Sequence, residues 1–191
     1  MQRHRNIVLA FTCALSLAPV GRLAATEMPA LPQLVEMLRP PGERAAPNFS
    51  TTALTSSRAR PAADEAASQT TAPEGTAAAA LALPFPAGSA ALTPEAERML
   101  DALARALNST ELARYRFKIE GHTDTAGDAS ANLALSARRA AAVREHLAGR
   151  LGVSASRLDA VGLGETQLLV QTPDGTAEPR NRRVQIVNIG G

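Results

Sequence analysis

The stretch from Ile119 to Ala140, IEGHTDTAGDASANLALSARRA, constrains this chain more than any other. It reads as a strand, a tight turn and a helix. An acid, Asp124, closes the strand, and a base, Arg139, follows fifteen positions on along the helix. Opposite charges held on separate elements, with a turn between them, can grip a ligand that carries both signs. Charge and spacing alone favour a plain structural ion pair between the two; the wider motif set below favours a site.

The N-terminal part reads differently. Arg3 and Arg5 precede an apolar run, Ile7 to Val20, of the length of a secretory leader and too short to span a membrane comfortably. Residues 1–25 are therefore expected to be a signal peptide, with Ala24-Ala25 offering small residues for cleavage. Cys13, the one cysteine, lies inside that run, so no intrachain disulfide can form. Phe11-Thr12 before it is a weak match to a lipidation site, and ordinary cleavage is expected. Residues 26–39 hold a short apolar pattern, Leu34, Val35 and Leu38, expected to be marginal alone and to serve as a docking segment for an envelope partner if it has a role. Residues 40–80 shift to Pro, Ala, Ser, Thr and Arg and lose both periods. Such a segment buries too little to offset its ordering entropy and predicts a linker of about forty residues, reaching roughly 35 Å.

The folded domain is expected over 81–191. LALPF at Leu81–Phe85 predicts a short strand, which Pro84 and Pro86 confine to an edge or to strand ends. Thr93-Pro94-Glu95 predicts a helix start, with Ala96, Met99, Leu100, Leu103 and Leu107 on one face and Asn108-Ser109 at its end. Tyr115, Phe117 and Ile119 alternate with Arg116, Lys118 and Glu120, a half-buried strand. Asp128 predicts the cap of a second helix running to about Leu151, before Gly152. Asn132, Ser136 and Arg139 share a face of it, continued by Val143 and Leu147. Its stripe is thus polar near the turn and apolar further on, as a site at the helix start requires. Ser154 caps a brief turn, Leu158 to Leu163 forms a third strand and Arg182 to Ile189 a fourth. The order β-α-β-α-β-β predicts a two-layer α/β (α+β) sandwich with a mixed sheet. In this part Lys and Arg nearly balance Asp and Glu, Lys118 is the lone lysine, and no basic patch stands out, which argues against nucleic acid.

Phe117 to Asp124, then Gly127, Asn132, Leu135-Ser136-Ala137-Arg138-Arg139-Ala140 and Val143, then Gly162-Leu163-Gly164-Glu165 and Asn181-Arg182-Arg183-Val184, resemble the C-terminal domain of the OmpA-like family. Those domains are periplasmic modules that hold peptidoglycan noncovalently. The resemblance covers about residues 81–191, and these motifs in this order are highly specific where GHTD alone is weak. It implies a periplasmic protein, associated with the outer membrane or an envelope complex, whose ligand is the diaminopimelate of the peptidoglycan stem peptide. Asp124 and Arg139 fall at the positions that clasp that ligand in the family; Thr123, Asn132, Leu135 and Arg182 complete the candidate set. Three departures stand out: Phe85-Pro86-Ala87 replaces a common Phe-Asp-Phe, GLGE replaces GYGE, and Leu168-Leu169-Val170 replaces a usual proline.

Diaminopimelate in a stem peptide keeps an ammonium and a carboxylate on one carbon. A carboxylate suits the first, and a guanidinium suits the second with two parallel hydrogen bonds. Bonds of this kind contribute roughly 1.5–3 kcal/mol each. The amides of the 125–130 turn add donors. Few aromatics, 3% of the chain, leave little to stack on sugar rings, so peptide recognition is expected. One of Arg182 and Arg183 faces the pocket and the other water. His122 with Asp124 offers at most two metal ligands, so no metal or other cofactor is expected. Ser136 lacks a His and acid in nucleophile spacing, so no enzyme is expected either.

Overall fold

The computed structural model describes residues 29–44 and 70–191. The expected leader, Cys13 and residues 45–69 of the expected linker lie outside them. In chain order the elements are α1 (Leu31–Leu38), β1 (Ala78–Leu81), α2 (Pro94–Leu107), β2 (Phe117–His122), α3 (Ala129–Gly149), β3 (Leu158–Gly164) and β4 (Val184–Asn188). Short 3-10 turns precede β3 and β4. Among the described residues no helix is long and apolar enough to cross a membrane.

Local chemistry starts the helices where expected. Thr93 Oγ1 accepts the Ala96 amide at 3.1 Å, and Pro94 takes the first turn of α2. Asp128 Oδ1 accepts the Ala131 amide at 2.9 Å and caps α3. α3 ends two residues earlier than expected, with Gly152 at φ 70° beyond it and the Val153 amide folding back to the Leu147 carbonyl at 3.0 Å. The turn before β3 is held by the Ser154 carbonyl, which accepts the Arg157 amide, and not by the Ser154 side chain.

The sheet runs β1-β4-β2-β3, with β2 and β3 parallel and the other pairs antiparallel. α3 is the crossover of the parallel pair. The mixed two-layer α/β arrangement matches the expectation. Leu100, Leu103 and Leu107 of α2 meet Val143 and Leu147 of α3, Phe117 and Ile119 of β2, and Val184 and Ile186 of β4 in one core.

Three segments depart from the sequence reading. The first strand lies at Ala78–Leu81, not Leu81–Phe85. Pro84 brings no amide to a ladder, whereas Ala78–Leu81 pair with Val187 back to Val184. β1 is an edge strand, as the prolines required. Second, residues 70–80 belong to the domain rather than to a linker. The Thr71 amide donates to Gln185 Oε1 at 2.9 Å, Arg183 Nη2 donates to Thr71 Oγ1 at 2.9 Å, and the Asn188 amide donates to the Ala77 carbonyl at 2.8 Å. This attachment is polar and leaves no periodic trace. Third, residues 31–38 are not marginal: they form α1, which packs on α2 and β1. Leu34 and Leu38 are fully buried, Val35 nearly so, and Asn188 Nδ2 donates to the Leu38 carbonyl at 2.8 Å. Glu43, just beyond, engages Arg114 and the Tyr115 hydroxyl. Tertiary packing stabilises a helix that its own eight residues could not.

Candidate functional site

The site is built where α3 begins, and two glycines let it lie there. A Cβ on Gly121 of β2 would fall on the Ser136 carbonyl oxygen. One on Gly162 of β3 would fall on the Ala137 nitrogen, 2.6 Å from Ser136 Oγ. Without side chains at those positions the helix seats its polar face directly on the sheet. Ser136 Oγ then accepts the Gly164 amide at 2.9 Å and donates to the Leu133 carbonyl at 2.8 Å. Asn132 is also buried. Its Nδ2 points to the carbonyls of Asp124 and Ala126 at 3.3 and 3.1 Å and to Glu165 Oε2 at 2.9 Å. Thr125 Oγ1 ties the turn to the Pro173 and Thr176 carbonyls at 2.7 and 3.1 Å.

Arg139, one turn further along, is largely buried. Its Nε donates to the Ser89 carbonyl at 2.9 Å and its Nη2 to the Pro86 carbonyl at 3.4 Å. The Phe85 ring lies under the guanidinium, 4.8 Å from Cζ to centroid. Phe85 and Pro86, two of the three residues at the first sequence departure, thus orient this arginine together with Ser89.

Asp124 and Arg139 make no ion pair with each other. Asp124 Oδ2 accepts from Arg182 Nη1 at 2.6 Å and from the Glu178 amide at 3.3 Å. The Asp124 side chain is 8% exposed, that of Arg182 45%. Arg182 stands here because β4 begins only at Val184, so Arg182 and Arg183 leave the Pro179–Asn181 turn and do not alternate across a strand. Asn181 pins that turn: its side chain exchanges hydrogen bonds with Val170 at 2.9 and 2.8 Å, accommodating the apolar Leu168-Leu169-Val170 run.

A hollow of about 240 Å³ opens beside these groups, with Leu83, Phe85, His122, Arg139, Arg182 and Arg183 in its lining. Of the six expected site residues, Arg139 and Arg182 line it. Asp124 is not in the lining and joins it only through its ion pair with Arg182. Asn132 is committed to the turn, Thr123 is buried with an unpartnered Oγ1, and Leu135 is half-buried on α3 outside the lining. Arg182 and Arg183 both contribute to the lining; Arg182 is also 45% exposed to water, and the buried Arg183 guanidinium donates to Thr71 Oγ1 and the Gln167 carbonyl. Sequence reasoning missed Phe85, His122 and Arg183. Only the adjacent arginines of NRRV offered a signal.

Burial, then the Arg182 charge, lowers the Arg139 pKa, and Asp124 opposes this. Burial brings Arg183 down to about 10, opposed by Glu120. Burial, followed by Arg183, brings His122 down to about 3, and its ring nitrogens find no well-formed hydrogen bond. The lining is therefore rich in arginine beside a neutral His122 imidazole, with Arg182 joined to the Asp124 carboxylate. Such a wall attracts a carboxylate. Among the described residues no three His, Cys, Asp or Glu side chains gather as a metal site.

The sequence model of the OmpA family matches residues 84–182. The chain is similar to the peptidoglycan-associated lipoprotein of Haemophilus influenzae, 42% identical over 92 residues, covering 48% of this chain and 58% of that protein. It is also similar to the peptidoglycan-associated lipoprotein of Pseudomonas aeruginosa, 37% identical over 102 residues, covering 53% and 58%. The chain thus spans somewhat over half the length of these relatives. Among solved structures, the cell wall anchor of the T6SS from Pseudomonas aeruginosa superposes with a TM-score of 0.52 at 27% identity, covering 68% of this chain and 94% of that one.

Proposed function

Because the chain belongs to the OmpA family, we propose that it binds peptidoglycan noncovalently through the diaminopimelate of the stem peptide and so anchors a periplasmic protein or envelope complex to the cell wall. The observation that carries this reading is Arg139. It is fixed by two backbone carbonyls and an aromatic face, keeps Nη1 without a partner among the described residues, and lines a hollow with Arg182, which holds the buried Asp124 carboxylate. Arg139 receives the ligand carboxylate and Asp124 the ammonium. The hollow, at about 240 Å³, lies below the ~300–1,000 Å³ of sites for drug-sized ligands. It suits one amino acid residue rather than a disaccharide. Asn132, Thr123 and Leu135 support the turn and helix that present those groups. The names of the relatives, a peptidoglycan-associated lipoprotein and a cell wall anchor, favour the same role and a periplasmic location after export.

Retention on purified diaminopimelate-type peptidoglycan tests the proposal. Asp124→Ala and Arg139→Ala are each expected to lose most retention while the fold persists, as read by circular dichroism. Retention undiminished in both removes the site.

In the second reading residues 26–39 dock an envelope partner. Leu34, Val35 and Leu38 of α1 face their own domain, so that role falls to the exposed side, Leu31 and Glu36. Complex formation lost on replacing those two, with wall retention intact, would favour it.

A further inference from the structure

The Asp124 carboxylate is already taken. Arg182 Nη1 lies 2.6 Å from Oδ2, and the Glu178 amide lies 3.3 Å from the same oxygen. Resting on the site proposed above, we infer that Arg182 is a tethered cation occupying the place of the ligand ammonium, so that the site opens only to ligands with ammonium and carboxylate on one carbon. The two partners differ in freedom. The Asp124 backbone is fixed by Asn132 Nδ2 on its carbonyl, and the preceding Thr123 amide donates to the Gly164 carbonyl at 2.9 Å. The Arg182 side chain is 45% exposed and leaves a short turn, so it is the partner that swings out. With so little of Asp124 exposed, an incoming ammonium competes with Arg182 for the carboxylate instead of joining it.

Selectivity follows from that competition. A plain carboxylate settles on Arg139 and leaves the pair closed. A plain amine must break the pair with nothing gained elsewhere. A zwitterion offsets the break with the Arg139 contact and also removes the crowding between Arg182 and Arg139.

Calorimetric titration of the purified protein with meso-diaminopimelate, and with pimelate as the same chain lacking ammonium groups, tests the inference. R182Q removes the competitor and is expected to bind meso-diaminopimelate about tenfold more tightly, equivalent to ~1.4 kcal/mol. R182K keeps a cation and stays near the wild type, and pimelate gains nothing from R182Q. Unchanged or weaker binding of meso-diaminopimelate by R182Q overturns the inference and leaves the site standing. A wild-type protein that binds meso-diaminopimelate no better than pimelate overturns the zwitterion site itself. A second readout needs no variant: the Arg182 Nε–H resonance should shift with meso-diaminopimelate and not with pimelate. A resonance that meso-diaminopimelate leaves unmoved also overturns the inference.

Discussion

Arg139 shows how much a charge-conserving change can remove. Two main-chain carbonyls hold Nε and Nη2 and the Phe85 ring supports the plane, which leaves one edge for a ligand. Lysine cannot reproduce that fork. Arg139→Lys is expected to weaken retention on peptidoglycan at least tenfold while unfolding stability changes by less than about 2 kcal/mol, as read by co-sedimentation and urea denaturation. His122 supplies a pH prediction. Its folded pKa, about 3, lies below the ordinary 6.5, so the unfolded chain binds the extra proton between those values. Stability from this residue is therefore complete above pH 6.5 and is lost progressively as pH falls toward 3. Urea midpoints measured from pH 7 to pH 4 should fall accordingly, and His122→Asn should flatten that part of the profile. At this scale the sequence showed Asp124 and Arg139 as charges on two elements. It did not show that Arg182 holds Asp124, because the hydrophobic alternation of the last strand appeared to begin at Arg182. The actual strand starts two residues later, and the turn re-aims both arginines.

The contact of α3 with the parallel pair β2–β3 carries the site, and it tolerates no added bulk. A Cβ at Gly162 meets the helix backbone, which cannot yield as a flexible side-chain tip would. Gly162→Ala should therefore destabilise by about 3 kcal/mol or more, measured by thermal or urea unfolding. It should also weaken peptidoglycan retention through displacement of Ser136 and its neighbours. α2, α3, β2 and β4 were legible from caps or periods: Thr93 and Asp128 mark the helix starts, and alternation marks the two strands. β1 was misplaced by a few residues because alanine side chains carry almost no hydrophobic contrast. Residues 70–77 were invisible because a few hydrogen bonds to Gln185, Arg183 and Asn188 attach them, not an apolar stripe.

As a whole, the molecule extends its core upstream of the region that the family model matches. Leu34 and Leu38 of α1 are fully buried, and each contributes roughly 1.5–3 kcal/mol by leaving water. Deleting residues 29–44 should lower unfolding stability by several kcal/mol and expose an apolar face of α2, detected by a lower melting temperature and dye binding. Retention on peptidoglycan by the folded fraction should persist, since among the described residues no hydrogen bond around the hollow involves α1. The docking of α1 has a further mechanical meaning. Arg44 and Thr70 now bracket a segment whose two ends are moored to one body. With both flanks tied to the same post, the distance from α1 to the proposed wall-binding site is a property of the folded body itself.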